Sequence, residues 1–212
     1  MWKTAHFSVP CASKTVENMR NIAIFASGSG TNAENIAQYF ANSENIKVSV
    51  VLSNKPGAGV HERVRKLGIP SCSFTKEEFA DGAPILRELA AHDVDFIVLA
   101  GFLSKVAAPI LAAYPDRIVN IHPALLPKFG GKGMYGSHVH EAVVRSGERE
   151  SGITIHYINE RYDEGAVIFQ AACPVAPDDT PDDVAGKVHA LEYEYYPLVI
   201  ERLLLGDAKD FV

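Results

Sequence analysis

Cysteine is scarce in this 212-residue chain. There are only three, Cys11, Cys72 and Cys173, odd in number and far apart. That excludes the disulfide framework of a small secreted domain and fits free thiols in a reducing compartment, so a cytoplasmic protein is expected. Runs of Lys or Arg are missing, and acidic residues outnumber basic ones 26 to 20, for a formal charge of −6. Nothing in that pattern tracks a phosphate backbone, so no nucleic-acid partner is expected. The first 18 residues contain no long apolar run and show neither helical nor strand periodicity. They suit neither a membrane span nor a secretory leader, and no membrane partner is expected. Residues 1–18 read as a loosely ordered extension, and Met19-Arg20-Asn21-Ile22 reads as a start leading straight into a strand. Internal repeats and low-complexity tracts are also absent, which leaves one domain over residues 19–212.

Apolar content is ample at 47%, enough for one sizeable core. Apolar runs alternate with helix-like segments, the rhythm of βαβ units around a buried parallel sheet. Strands are expected at 21–26, 47–53, 71–74, 95–100 and 117–122, and helices at 34–41, 60–67, 84–91 and 104–113. Crossovers of this length are right-handed, giving an α/β fold with an open, doubly wound, mostly parallel sheet whose strand C-terminal ends line a crevice. The pattern then changes. Residues 153–158 alternate, Asp163-Glu164-Gly165 makes a turn, and 167–173 returns as the second strand of a hairpin. A long final helix spans 181–205, with Thr180 as N-cap and Pro181 in its first turn. Pro197 is expected to bend or break it near Tyr196.

Chemistry-bearing residues gather at the expected strand ends. Asn120-Ile121-His122-Pro123 closes the fifth strand, and Asp163 follows in the later turn. An amide, an imidazole and a carboxylate suit acyl transfer to an amine. An Asn N–H and a protonated His stabilise an oxyanion, and a carboxylate beside the His favours its charged form and accepts the amine's proton. Ser27-Gly28-Ser29-Gly30-Thr31-Asn32 lies between a strand and a helix, where backbone N–H groups and the helix N-terminus bind an anion such as phosphate, with Thr31 and Asn32 also capping the helix. The same glycines fit a dinucleotide fingerprint, but the second strand ends Ser53-Asn54-Lys55 where that motif needs an acid. His122, His138 and His140 with Asp163 imitate a metal ligand set. His138 and His140 sit two apart on a helix-like segment, which points them away from each other, so no metal is expected. Residues 130–136 are glycine-rich and suit a loop closing over substrate.

These motifs, with Leu99-Ala100-Gly101-Phe102, Asn120-Ile121-His122-Pro123-Ala124-Leu125-Leu126-Pro127-Lys128-Phe129 and Tyr162-Asp163-Glu164-Gly165, resemble the glycinamide ribonucleotide formyltransferases from about Met19 to the C-terminus. The resemblance implies a Rossmann-like formyltransferase fold. It also implies transfer of a formyl group from 10-formyltetrahydrofolate to the amine of 5-phosphoribosylglycinamide in purine biosynthesis. By the same resemblance Asn120, His122 and Asp163 are catalytic, and Gly30, Thr31 and Asn32 hold the phosphate. Glu192 bonds the ribose hydroxyls, and Leu103, Ser104, Lys105 and Val106, with Asn120, receive the folate. His138 and His156 are implied in support. The family often carries a basic residue where this chain has Ser104 or Lys105. Small-molecule substrates and a monomer or homodimer are expected. Methionyl-tRNA formyltransferase and formyltetrahydrofolate hydrolase share the Asn-x-His-Pro segment, but each normally carries an additional domain for which 212 residues leave no room. An NAD-binding or other nucleotide-binding protein is the reading from a different class.

Overall fold

The computed structural model describes residues 19–161 and 163–206, so the expected extension at 1–18 lies outside the described residues. Five parallel strands, β1 (Arg20–Phe25), β2 (Ile46–Ser53), β3 (Ser71–Ser73), β4 (Phe96–Leu99) and β5 (Ile118–His122), are joined by two antiparallel ones, β6 (Glu150–Tyr157) and β7 (Val167–Pro174). The order in the sheet is β3-β2-β1-β4-β5-β6-β7. The central parallel strands are covered on both faces, which is why they read as unbroken apolar runs rather than alternating ones. Ile22, Ile24 and Val98 face a layer built by α1 (Thr31–Tyr39), α2 (Gly59–Lys66), α6 (Ser137–Arg145) and α7 (Pro181–Leu205). Ala23, Phe25, Ile97 and Leu99 face α3 (Lys76–Asp81), α4 (Ala83–Ala91) and α5 (Ala108–Ala113).

Strand order reverses beside β1, because the chain moves outward to β2 and β3 and then returns to the other side through β4. At such a switch point the loops leaving neighbouring strands diverge and open a crevice. Helix α7 is keyed to that end of the sheet. The buried Tyr196 hydroxyl reaches the carbonyls of Leu99, the last residue of β4, at 2.9 Å and of Val119, the second residue of β5, at 3.3 Å.

Three elements differ from the sequence reading. The segment expected to be helical over 104–113 is helical only at Ala108–Ala113. Pro109 has no N–H for the carbonyl of Lys105 and its ring crowds that carbonyl, so the helix cannot extend back and residues 101–107 form a loop. Helix α3 was not expected, yet Thr75 caps it with a reciprocal Glu78 contact, a Thr-x-x-Glu capping box readable in the sequence. Helix α7 runs unbroken through Pro197. The carbonyl of Tyr193, which loses the N–H of residue 197, instead accepts the Asn35 side-chain amide at 2.9 Å.

Candidate active site

A cavity of about 480 Å³ opens across the C-terminal ends of β1, β4 and β5. Its wall takes in the glycine loop after β1, the loop after β4, the start of the segment after β5 and the turn that carries Asp163.

At one end lies the loop of residues 28–32. Gly30 is the N-cap of α1 at φ +79°, and a Cβ there would stand 2.5 Å from the Cβ of Val60 on α2, so both conformation and close approach demand glycine. Gly30, Thr31 and Asn32 line the cavity. Like Thr31, Asn32 does not cap the helix as expected, because the N-cap is Gly30 and α1 has no side-chain cap. The Asn32 Nδ2 donates instead to Glu192 Oε2 at 2.8 Å. Glu192 is only 6% exposed and lines the same cavity, so it is no solvated face residue. Burial pushes its carboxyl upward, opposed by the Asn32 hydrogen bond and the neighbouring His189.

The centre holds Asn120, His122, His156 and Asp163. His156 is fully buried on β6, directly across the ladder from Asn120 on β5. Its Nδ1 donates to the Tyr157 carbonyl at 3.0 Å, which leaves Nε2 to accept the Asn120 amide N–H at 3.2 Å. That pairing fixes which end of the Asn120 amide faces His156 and leaves a second N–H on the same nitrogen. Burial lowers the His156 pKa, opposed by the Tyr157 carbonyl and the charge of Asp163, so the ring is the neutral acceptor this geometry requires. Asp163 stands between two imidazoles, with Oδ1 3.6 Å from His156 Nε2 and Oδ2 3.7 Å from His122 Nδ1. Its Oδ2 also accepts the backbone N–H of Gly131 at 2.8 Å, tying the glycine-rich segment to the site. The other ring nitrogen of His122, Nε2, donates to the Phe129 carbonyl at 2.7 Å.

The turn that brings Asp163 here is under backbone constraint. Asp163 has φ +54° and Phe129 φ +55°, a left-handed conformation uncommon outside glycine, so both ends of the His122 environment carry strain. Gly165 allows the turn to pass the sheet, since a Cβ there would meet the Tyr157 carbonyl at 1.6 Å.

At the other end, Leu103, Ser104, Lys105 and Val106 line the cavity from the loop after β4. The loop is pinned from beneath. The Leu103 N–H donates to Ser27 Oγ at 3.0 Å, Asn54 Nδ2 donates to Ser104 Oγ at 3.0 Å, and Phe102 packs 5.5 Å from Phe25, ring centre to ring centre. Leu103 is 46% exposed and offers an apolar surface, whereas Val106 is buried in the core. Asn54, at the position where a dinucleotide fold needs an acid, spends its amide on Ser104.

One expectation about histidine changes. His138 is exposed, lies outside the cavity wall, and contacts Glu141 and Tyr135 on the surface. Its supporting role finds no contact with the centre, because on α6 the buried face falls at Val139, His140 and Val143. His140 is the neighbour that lines the cavity, 3% exposed, with a buried Nδ1 that has no partner among the described residues. His189 on α7 faces it at 6.3 Å between ring centres and also lines the cavity. His189 was not singled out from the sequence, and His140 was named only in the rejected metal set, although the apolar spacing of α6 puts residue 140 on its inner face.

Burial lowers the His140 pKa, with His189 and His122 adding repulsion. His140 and His156 are therefore held neutral in the folded state while the unfolded chain takes up protons below about 6.5. Stability is present above that pH and is lost as pH falls toward the depressed folded values. Thermal melts between pH 7.5 and 5.5 are expected to show a falling midpoint, with a shallower slope for His140→Gln. Equal slopes would remove His140 from the acid-sensitive groups.

A family profile described as formyl transferase matches residues 20–200. The chain is 42% identical over 187 residues to the chloroplastic phosphoribosylglycinamide formyltransferase of Arabidopsis thaliana, covering 85% of this chain and 64% of that protein. It is 35% identical over 191 residues to phosphoribosylglycinamide formyltransferase of Bacillus subtilis, covering 88% and 95%. The fold superimposes on the crystal structure of glycinamide ribonucleotide transformylase 1 from Symbiobacterium toebii with a TM-score of 0.82, at 34% identity over 89% of each chain. The chain thus spans less than two thirds of the plant relative but nearly all of the bacterial one. With the profile covering the whole sheet and its cavity, the chain belongs to the formyl transferase family.

Proposed function

We propose that this protein transfers the formyl group of 10-formyltetrahydrofolate to the amino group of 5-phosphoribosylglycinamide, in the cytoplasm, with residues 19–212 acting as one catalytic domain. The observation that carries this reading is the convergence on one cavity of the Asn120, His122 and Asp163 side chains with the glycine loop of residues 28–32 and the buried carboxylate of Glu192. The phosphate sits on the N–H groups of residues 30–32 and the helix α1 N-terminus, and the ribose lies against Glu192. The folate enters from the side of residues 103–106.

In the reaction, the amine nitrogen attacks the formyl carbon and the carbonyl oxygen becomes an oxyanion. The free N–H of Asn120 and the positive charge of a protonated His122 stabilise it, and Asp163 is the counter-charge to that imidazolium. For a direct N–H contact, His122 exchanges the Phe129 carbonyl for the oxyanion. The amine's surplus proton passes through Asp163, directly or by one water, toward the folate nitrogen as the carbon–nitrogen bond to folate breaks. The formyl group ends on the glycinamide nitrogen, and tetrahydrofolate leaves with the proton.

A steady-state assay that follows folate deformylation is expected to show turnover only when phosphoribosylglycinamide is present. Turnover with water alone would make the protein a hydrolase, and turnover with methionyl-tRNA a tRNA formyltransferase. Either result overturns the acceptor assignment.

A further inference from the structure

An anion-binding loop works only if its carbonyls are turned away from the anion, and in this chain α2 turns them. The Gly28 carbonyl accepts the N–H of Val60 at 3.2 Å, and the Ser29 carbonyl accepts Arg63 Nε at 2.9 Å. Arg63 also pairs through Nη1 with Glu34, which lies in the first turn of α1. A bare carboxylate there would sit beside the N-terminus that receives the phosphate and would repel it. One guanidinium thus holds the Ser29 carbonyl outward and offsets the acidic charge in the first turn of α1. Its planar fork meets both demands at once, which a single ammonium point charge cannot do.

We propose that Arg63, which is not on the cavity wall, is a positioning residue for the phosphate end of the site. It rests on the assignment of the ribonucleotide phosphate to residues 30–32. Because Arg63 touches neither the formyl centre nor the folate loop, its removal separates the two substrates. Arg63→Ala is expected to raise KM for phosphoribosylglycinamide about tenfold, the scale of one charge-assisted hydrogen bond. The inhibition constant of ribose 5-phosphate should rise in parallel, while kcat and KM for the folate stay within about twofold, the effect of one loop contact remote from the chemistry. Adding Glu34→Gln should recover part of the loss by removing the uncompensated charge. Arg63→Gln, which keeps an N–H for the Ser29 carbonyl, serves if the alanine variant does not fold, and it should show the same selective rise in smaller measure. Unchanged ribonucleotide KM in a folded variant, or equal losses for both substrates, would overturn the proposal. A wild-type protein without ribonucleotide-dependent transfer would instead overturn the assigned activity, so the two failures are distinct.

Discussion

Asp163→Asn is expected to lower kcat by about 10²- to 10⁴-fold, the span attributed to a positioned acid–base group, with folding intact and both KM values little changed. The substitution is well matched to the site. Asparagine tolerates the left-handed backbone at φ +54°. Its carbonyl oxygen still accepts the Gly131 N–H. What disappears is the negative charge 3.7 Å from His122 Nδ1 and the group that takes the amine's proton. Circular dichroism and thermal melts check the fold, and steady-state kinetics check the turnover. A near-normal rate would remove Asp163 from the mechanism.

The second large effect is expected at Asn120. Asn120→Ala deletes the N–H aimed at the developing oxyanion and should lower kcat by about 10²- to 10³-fold. Part of the damage is local, since the buried His156 Nε2 loses the donor it holds at 3.2 Å. Asn120→Asp separates the two contributions. It keeps the shape but places a carboxylate against the oxyanion, so its activity should be no higher than that of the alanine variant. A rate within about threefold of wild type for the alanine variant would show that no oxyanion contact of the usual strength is made there.

Much of this architecture was legible because its causes are local. The central strands are buried on both faces, so β1, β2, β4 and β5 announce themselves as short apolar runs. The glycine loop and the Asn-x-His-Pro segment sit at strand ends, where a doubly wound sheet puts its binding crevice. What escaped the sequence depends on contacts between distant residues or on helix phase. Residues 104–107 have helical spacing, and only the geometry of Pro109 stops the helix short of them. The break expected at Pro197 does not occur because Asn35, from another helix, satisfies the freed carbonyl of Tyr193. Asn32 looks like a helix cap until α7 brings Glu192 to its amide. Of the two histidines at 138 and 140, the phase of α6 directs His140 inward and leaves His138 at the surface. His189 reaches the cavity on α7, which Tyr196 anchors to β4 and β5.

The left-handed residues flanking the centre tie fold to chemistry. Phe129 presents its carbonyl to His122, and Asp163 presents its carboxylate to Gly131 and to both imidazoles. Such conformations persist where the surroundings hold them in place, and here the surroundings are the end of β6 at Tyr157 and the loop tied to Asp163.

Rapid-quench single turnover with isotope-labelled formyl donor and phosphoribosylglycinamide tests the polar trio most directly. The label is predicted to pass from folate to the glycinamide nitrogen at the rate of folate loss, with none retained on protein and none released as formate. Label trapped covalently on the chain, or appearing as formate while the ribonucleotide stays unmodified, would contradict direct transfer at this centre.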